Sequence, residues 1–255
     1  MKQQNNQSSI SLGCGLIRLG RVWGVDNKPV PSESDVQAFL EGAFELGIRF
    51  FDTAPAYGLS EKRLGAFLKN LTPEQRNKVT VATKFGEHWD DDKQEPFVDH
   101  TYEMLAMSFE KSLNELGKIE VLQLHKASTN LLEADEIDQA FSFALKSDVS
   151  FLGASISDLD TGLKACSDGR LTYIQLPFNE ERMELLPVID KAKISDKKIL
   201  FNRPFAMGAV TGQPSMIAAY KRIIDLDCPG IVLTGTASLE HLRQNINNFE
   251  SATHG

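Results

Sequence analysis

Four ionisable side chains stand at the ends of short apolar runs, where a carboxylate, a phenol, an ammonium and an imidazole could meet. Asp52 lies near the end of IRFFDTA, and Tyr57 follows five residues later in APAYG. Lys84 lies at the tip of VTVATKF and His125 closes IEVLQLH. A lysine buried beside a carboxylate keeps its charge, because the ion pair offsets desolvation. A tyrosine facing that lysine is expected to be pushed toward phenolate, its pKa falling from the usual ~10. Such a phenol can give a proton to a carbonyl oxygen as charge grows there, and a nearby histidine can hold the same oxygen. The set suits protonation or deprotonation of an oxygen while another group supplies the electrons.

Each residue alone has a plainer reading. Asp52 could satisfy turn amides, Tyr57 could be a loop aromatic, Lys84 a solvated charge and His125 a hydrogen-bonded core histidine. Their joint placement is what favours chemistry, so the elements that carry them matter. Eight runs rich in Val, Ile, Leu and Phe begin at Ile10, Ile48, Val79, Ile119, Val149, Leu171, Lys198 and Gly230. Several are apolar throughout, as strands buried on both faces of a parallel sheet are. Between them, apolar residues at three- and four-residue spacing predict helices over Ser34–Leu46, Ser60–Lys69, Tyr102–Leu116, Glu133–Leu145, Asp158–Cys166, Arg182–Lys193, Met216–Leu226 and Ser238–Phe249. Gly47 and Gly117 supply natural stops.

Strand and helix alternating eight times predict a (β/α)8 TIM barrel of the α/β class, a single domain over 1–255 with 1–9 as a flexible tail. A doubly wound sheet is the rival. It usually carries GxGxxG after its first strand, whereas Gly13-Cys14-Gly15 here leads into Leu16-Ile17-Arg18, with the next glycine at Gly20. In a barrel, reactive groups gather at the carboxyl ends of the strands.

Composition narrows the partners. The 255 residues are 42% hydrophobic and 24% charged, which excludes a disordered chain. A net charge of −8 argues against nucleic acid or an anionic membrane as the main partner. Cys14, Cys166 and Cys228 are far apart and form no CxxC, so a reducing cytoplasm is expected rather than a disulfide framework or zinc ribbon. The opening MKQQNNQSSISLG has no apolar core of a signal peptide. HWDDD from His88 reads as a solvated acidic loop rather than a metal site.

FFDTAPAYGLSEKRLG from Phe50, the strand-end TKFG and the stretch IEVLQLH together resemble the aldo-keto reductase family, in order and over nearly the whole chain. The resemblance implies oxidoreductase activity on an aldehyde or ketone, or on the corresponding alcohol or sugar, with NADP as cofactor and NAD possible. It implies Tyr57 as proton donor, Lys84 as the group that tunes it, Asp52 as the carboxylate paired with Lys84, and His125 as the residue orienting the substrate carbonyl. Members lay the dinucleotide across the barrel mouth. That assigns Gly15, Leu16, Ile17 and Asp52, the carboxamide pair Ser155 and Gln175, and the covering segment Asn202, Arg203, Pro204 and Phe205. The adenosine phosphate falls to Gly235, Thr236, His241, Gln244 and Asn245, with Arg243 nearby, at a helix N-terminus that itself favours phosphate. Trp23 and Trp89 are expected to line the substrate pocket.

The chain departs from the pattern at Ile156, where many members have asparagine, and at Asn202, where many have a stacking aromatic. No long loop after the last predicted helix is expected to wall the substrate pocket, as one does in many members. Two rival functions remain on the residues alone: a cofactor-binding regulatory barrel with little turnover, and a lyase using Lys84 as a Schiff base.

Overall fold

Residues 10–25 and 28–254 are described by a computed structural model; the expected tail 1–9 lies outside them. The chain runs from β1 (Ile10–Gly15) through α1 (Glu33–Glu45), β2 (Phe50–Asp52), α2 (Ser60–Lys69), the short α3 (Pro73–Arg76) and β3 (Thr80–Phe85). A hairpin of β4 (Glu87–Asp90) and β5 (Glu95–Val98) follows, then α4 (Tyr102–Leu116), β6 (Val121–Leu124), α5 (Asp135–Leu145), β7 (Phe151–Ser155) and α6 (Leu159–Ser167). The remainder is β8 (Leu171–Pro177), α7 (Leu186–Ile194), β9 (Lys198–Asn202), α8 (Gln213–Ile224), β10 (Gly230–Thr234) and α9 (Leu239–His254). Eight strands close in the order β1-β10-β9-β8-β7-β6-β3-β2, all parallel, while β4 and β5 form a separate antiparallel pair. The structure is therefore the (β/α)8 TIM barrel that the eightfold alternation predicts.

Local chemistry explains the boundaries. Ser32 caps α1 by accepting from Asp35 N at 3.2 Å, and the helix buries Val36, Phe39, Leu40 and Ala43 on one stripe. Gly47, at φ +93, then turns the chain where a side chain would be strained. Three helices differ from expectation. The segment from Arg182 is first a 3-10 stretch with Arg182 itself non-helical, and the α-helix starts at Leu186, because Pro187 is tolerated only in a first turn. Pro214 likewise allows α8 to begin earlier, at Gln213. The last helix runs past Phe249 to His254 and buries Ala252. HWDDD is corrected from acidic loop to hairpin: β4 pairs with β5, and Asp90 Oδ1 holds its turn by accepting from Asp92 N and Lys93 N at 3.0 Å each.

Alternation along each strand sorts the side chains into layers. One apolar core lies between barrel and helices. A smaller one, of Phe50, Ala82, Val121, Tyr173, Leu200, Ile231 and Leu233, fills the barrel interior. Two residues beyond five of these plugs, on the same inward face, stand Asp52, Lys84, Gln123, Gln175 and Asn202. The strand period thus builds a polar ring on top of an apolar floor. Gly153 makes room for it: a Cβ there would lie 3.1 Å from the Gln123 side chain and 2.8 Å from Tyr173 O.

Candidate active site

Asp52 is the hub of the ring. Its Oδ2 accepts from Lys84 Nζ at 2.7 Å and from Gln175 Nε2 at 3.3 Å, and its Oδ1 accepts from Gln123 Nε2 at 3.0 Å. Lys84 also donates to Thr53 O at 2.8 Å. Burial works against the Lys84 charge, but Asp52 and Tyr57 outweigh it and leave the ammonium more firmly protonated than usual. A lysine so held is no nucleophile, and the Schiff-base reading falls.

Tyr57 ends a 3-10 turn, Pro55–Tyr57, that follows β2. Its ring centre is 4.8 Å from Lys84 Nζ and 6.1 Å from the His125 ring, edge to face. Two glycines fix this placement. A Cβ on Gly20 would lie 1.8 Å from Tyr57 O, and Gly58, at φ +60, would meet Gly20 O at 2.6 Å. The loop after β1 therefore lies directly against the backbone that carries Tyr57. The expected lowering of the Tyr57 pKa is overturned in this structure. Burial pushes the phenol up, Asp52 and Glu87 add to it, and Lys84 opposes without prevailing. Desolvation penalises phenolate more than one shared ammonium compensates.

His125 follows β6 and is held well below its ordinary pKa, by burial first and then by Lys84, Lys126 and Arg21. It is neutral at physiological pH. Its Nδ1 lies 3.1 Å from Glu87 Oε2 but out of line for a hydrogen bond, and no other group among the described residues satisfies it. Behind the ring, Glu61 of α2 is buried and accepts from Thr83 Oγ1 at 2.5 Å and Ser112 Oγ at 3.1 Å; burial raises its pKa to about 7.

The expected cofactor positions fall into two groups. Ser155 and Asn202 close β7 and β9, and Gln175 lies two residues before the end of β8 between them, opposite Ser155. The amide oxygens of Gln175 and Asn202 are buried without a donor among the described residues, as is that of Gln123. A ligand bearing N–H donors fits there, so the residues suit a nicotinamide carboxamide. Leu16, by contrast, turns its side chain into the core, and its backbone is engaged by Asp52 O and Ser60 Oγ. Gly15 and Ile17 on either side stay partly accessible. Beyond β9, Arg203 is exposed with φ +54, Pro204 is buried and Phe205 stacks edge-on against Tyr220 at 5.0 Å. After β10, Gly235 is exposed, Thr236 Oγ1 accepts from Ser238 N, and Ser238 Oγ accepts from His241 N to cap α9. His241, Arg243 and Gln244 are exposed. Asn245 is buried, donating to Thr234 Oγ1 at 2.6 Å, and so braces α9 on β10.

Trp23 and Trp89 meet around Arg21, whose guanidinium lies 5.1 Å and 5.7 Å from their ring centres. Sequence reasoning missed Arg21, Glu87 and Gln123. Gln123 had a signal, standing two residues before His125 on the inward face of β6. Among the described residues no cluster of three or more His, Cys, Asp or Glu is arranged for a metal ion, and no helix is long and apolar enough to cross a membrane.

A closed parallel barrel with its ionisable groups gathered past the strand carboxyl ends defines the class of (β/α)8 barrels with a site in the mouth. Within that class the chain belongs to the Aldo/keto reductase family, whose model matches residues 11–213. It is 31% identical over 218 residues to L-galactose dehydrogenase of Arabidopsis thaliana, covering 80% of this chain and 64% of that enzyme. It is 33% identical over 138 residues to D-threo-aldose 1-dehydrogenase of a Pseudomonas species, covering 45% of this chain and 39% of the other. The chain thus spans less than two thirds of either curated relative. A crystal structure assigned to the aldo-keto reductases, from Pseudomonas aeruginosa, superposes with a TM-score of 0.80 at 27% identity, covering 95% of this chain and 90% of that one.

Proposed function

We propose that the chain is an NAD(P)-dependent oxidoreductase that interconverts an aldehyde or ketone and the corresponding alcohol or sugar. The observation that carries this reading is the buried Asp52–Lys84 pair set 4.8 Å below the Tyr57 ring, beside a neutral His125. A nicotinamide cofactor, when bound, supplies or accepts the hydride. Ser155 and Gln175 would hold its carboxamide, Gly15, Ile17 and Asn202 to Phe205 would line its path, and Thr236, His241 and Arg243 would meet the adenosine end.

The protein's own part is proton transfer. A phenol whose pKa is raised keeps its proton at neutral pH and so is present as the acid form. As negative charge develops on the carbonyl oxygen, Tyr57 releases that proton, and Lys84 stabilises the phenolate left behind. Asp52 keeps Lys84 protonated for this purpose, while Gln123 and Gln175 fix the carboxylate. Neutral His125 competes for no proton and orients the oxygen through a ring N–H. In the oxidative direction the same groups run in reverse.

We take NADP as the favoured dinucleotide, with modest discrimination. Arg243 makes no ion pair among the described residues and is available to a 2′-phosphate, which an arginine grips better than a hydroxyl. Residues 1–255 acting as one barrel domain on a small molecule, in the cytoplasm, complete the reading. Titrating the protein with NADPH and NADH while following intrinsic fluorescence tests it. Saturable quenching by the reduced cofactor is expected; no binding of either at millimolar levels refutes the reading.

A further inference from the structure

Beside Tyr57 the mouth carries a cation that no carboxylate among the described residues contacts. Arg21 lies in the loop after β1, and its Nη1 donates to Ala56 O at 2.9 Å. The guanidinium carbon stands 6.0 Å from the Tyr57 ring centre, with Trp23 and Trp89 flanking it. Among the described residues no Asp or Glu lies within ion-pair distance. Glu87, the acidic group that faces it, is turned to others: its Oε1 is 3.6 Å from Lys126 Nζ and its Oε2 lies against His125. Asp52 is saturated by Lys84, Gln123 and Gln175. The next cation, Arg203, sits against Trp23 at 5.7 Å and offers no compensation.

A half-buried guanidinium with no carboxylate in contact among the described residues is unfavourable, and its burial pulls the Arg21 pKa below the ordinary arginine value, with Glu87 and Tyr57 opposing from a distance. Aromatic faces offset part of that cost. One bond to a carbonyl leaves the rest of the planar fork without a hydrogen-bond partner among the described residues, and that fork matches a carboxylate bidentately. We propose that Arg21 is a specificity-determining residue that receives a carboxylate carried by the substrate. On this assignment the pocket selects carbonyl compounds or alcohols bearing an acid group a few carbons from the reacting centre. The assignment rests on the oxidoreductase reading above.

Trp23 and Trp89 are the two tryptophans of the chain, so its tryptophan fluorescence reports this pocket directly. Succinate should quench it saturably in the presence of NADPH, and the neutral succinamide should not. In turnover, 4-oxobutanoate should be favoured over its methyl ester, chiefly through KM. Arg21→Met keeps much of the stem packing and should cut that acid-over-ester ratio about 10- to 100-fold, the worth of a charge-assisted pair. Arg21→Lys should restore part of it, and neither variant should change the Kd for NADPH. Equal responses to succinate and succinamide in the wild type overturn the proposal. So does a loss of NADPH affinity in Arg21→Met, which would assign the guanidinium to the cofactor instead. Succinate quenching without turnover of either carbonyl compound keeps the anion site and refutes the oxidoreductase reading. Turnover without acid preference does the reverse.

Discussion

Asp52, Lys84, Gln123 and Gln175 come from strands, lie buried, and spend their polar atoms largely on one another. Arg21, Trp23, Trp89, Arg203 and Arg243 come from loops, the hairpin and a helix end, and their polar groups are mostly left for something outside the protein. The first set is held by the register of a closed barrel, where each strand fixes its neighbours. The second is held by turns. Chemistry common to many substrates belongs on the strands, and recognition of a particular one belongs on the rim. Tyr57 sits at the seam, on a turn that the loop after β1 presses into place.

The largest expected effect lies at that seam. Tyr57→Phe should lower kcat about 10²- to 10⁴-fold while leaving dinucleotide Kd nearly intact, because the phenol acts only as charge builds in the transition state. A variant keeping most of its rate would show that a rim group donates the proton. Asp52→Asn probes the strand set itself. It leaves the Lys84 ammonium buried without its counter-charge, so urea unfolding should show a loss of about 3–5 kcal/mol. An unchanged midpoint would mean that Thr53 O and Tyr57 alone suffice to hold Lys84.

Glu61 sharpens the comparison by pH. Its folded pKa of about 7 exceeds the ordinary 4.5, so the native state binds the proton more tightly than the unfolded chain. Stability from this group is present below pH 4.5 and is lost as pH rises toward 7, by about 3 kcal/mol in all. Glu61→Gln should remove that component, which unfolding midpoints at pH 5, 6, 7 and 8 would reveal as a flatter profile. A parallel profile in both proteins would place the titration elsewhere. The smallest effect belongs to the exposed rim. Arg243→Ala should raise the Kd for NADPH about 3- to 10-fold and leave that for NADH alone, as exposed charge pairs are weak. Equal weakening of both cofactors would move the 2′-phosphate off Arg243.

The same division governs how much was legible in the sequence. All eight barrel strands were visible, since runs buried on both faces have an unmistakable composition. Asp52, Lys84 and His125 were visible because strand ends in a barrel converge. Gln123 was hidden by being an ordinary amide, although its parity with Val121 placed it inward. Glu87 and Arg21 gave no such signal, because their partners depend on a hairpin and a glycine-packed turn rather than a repeating period. The Tyr57 pKa went unread for a related reason: the sequence names the nearby lysine, but only packing reveals how strongly its surroundings desolvate the phenol.

One further consequence follows from the hairpin of β4 and β5. Gly86, at φ +100, opens it, and Asp99 N donates to Gly86 O at 3.1 Å to close its base. The excursion between them carries Glu87 and Trp89 yet contributes no strand to the barrel. It is therefore a cassette with defined joints, which recombination between related chains could exchange whole. A graft of residues 88–98 that keeps Glu87 against His125 would change what the mouth admits while leaving the groups around Tyr57 in place, a route by which one barrel could acquire new substrates without refolding.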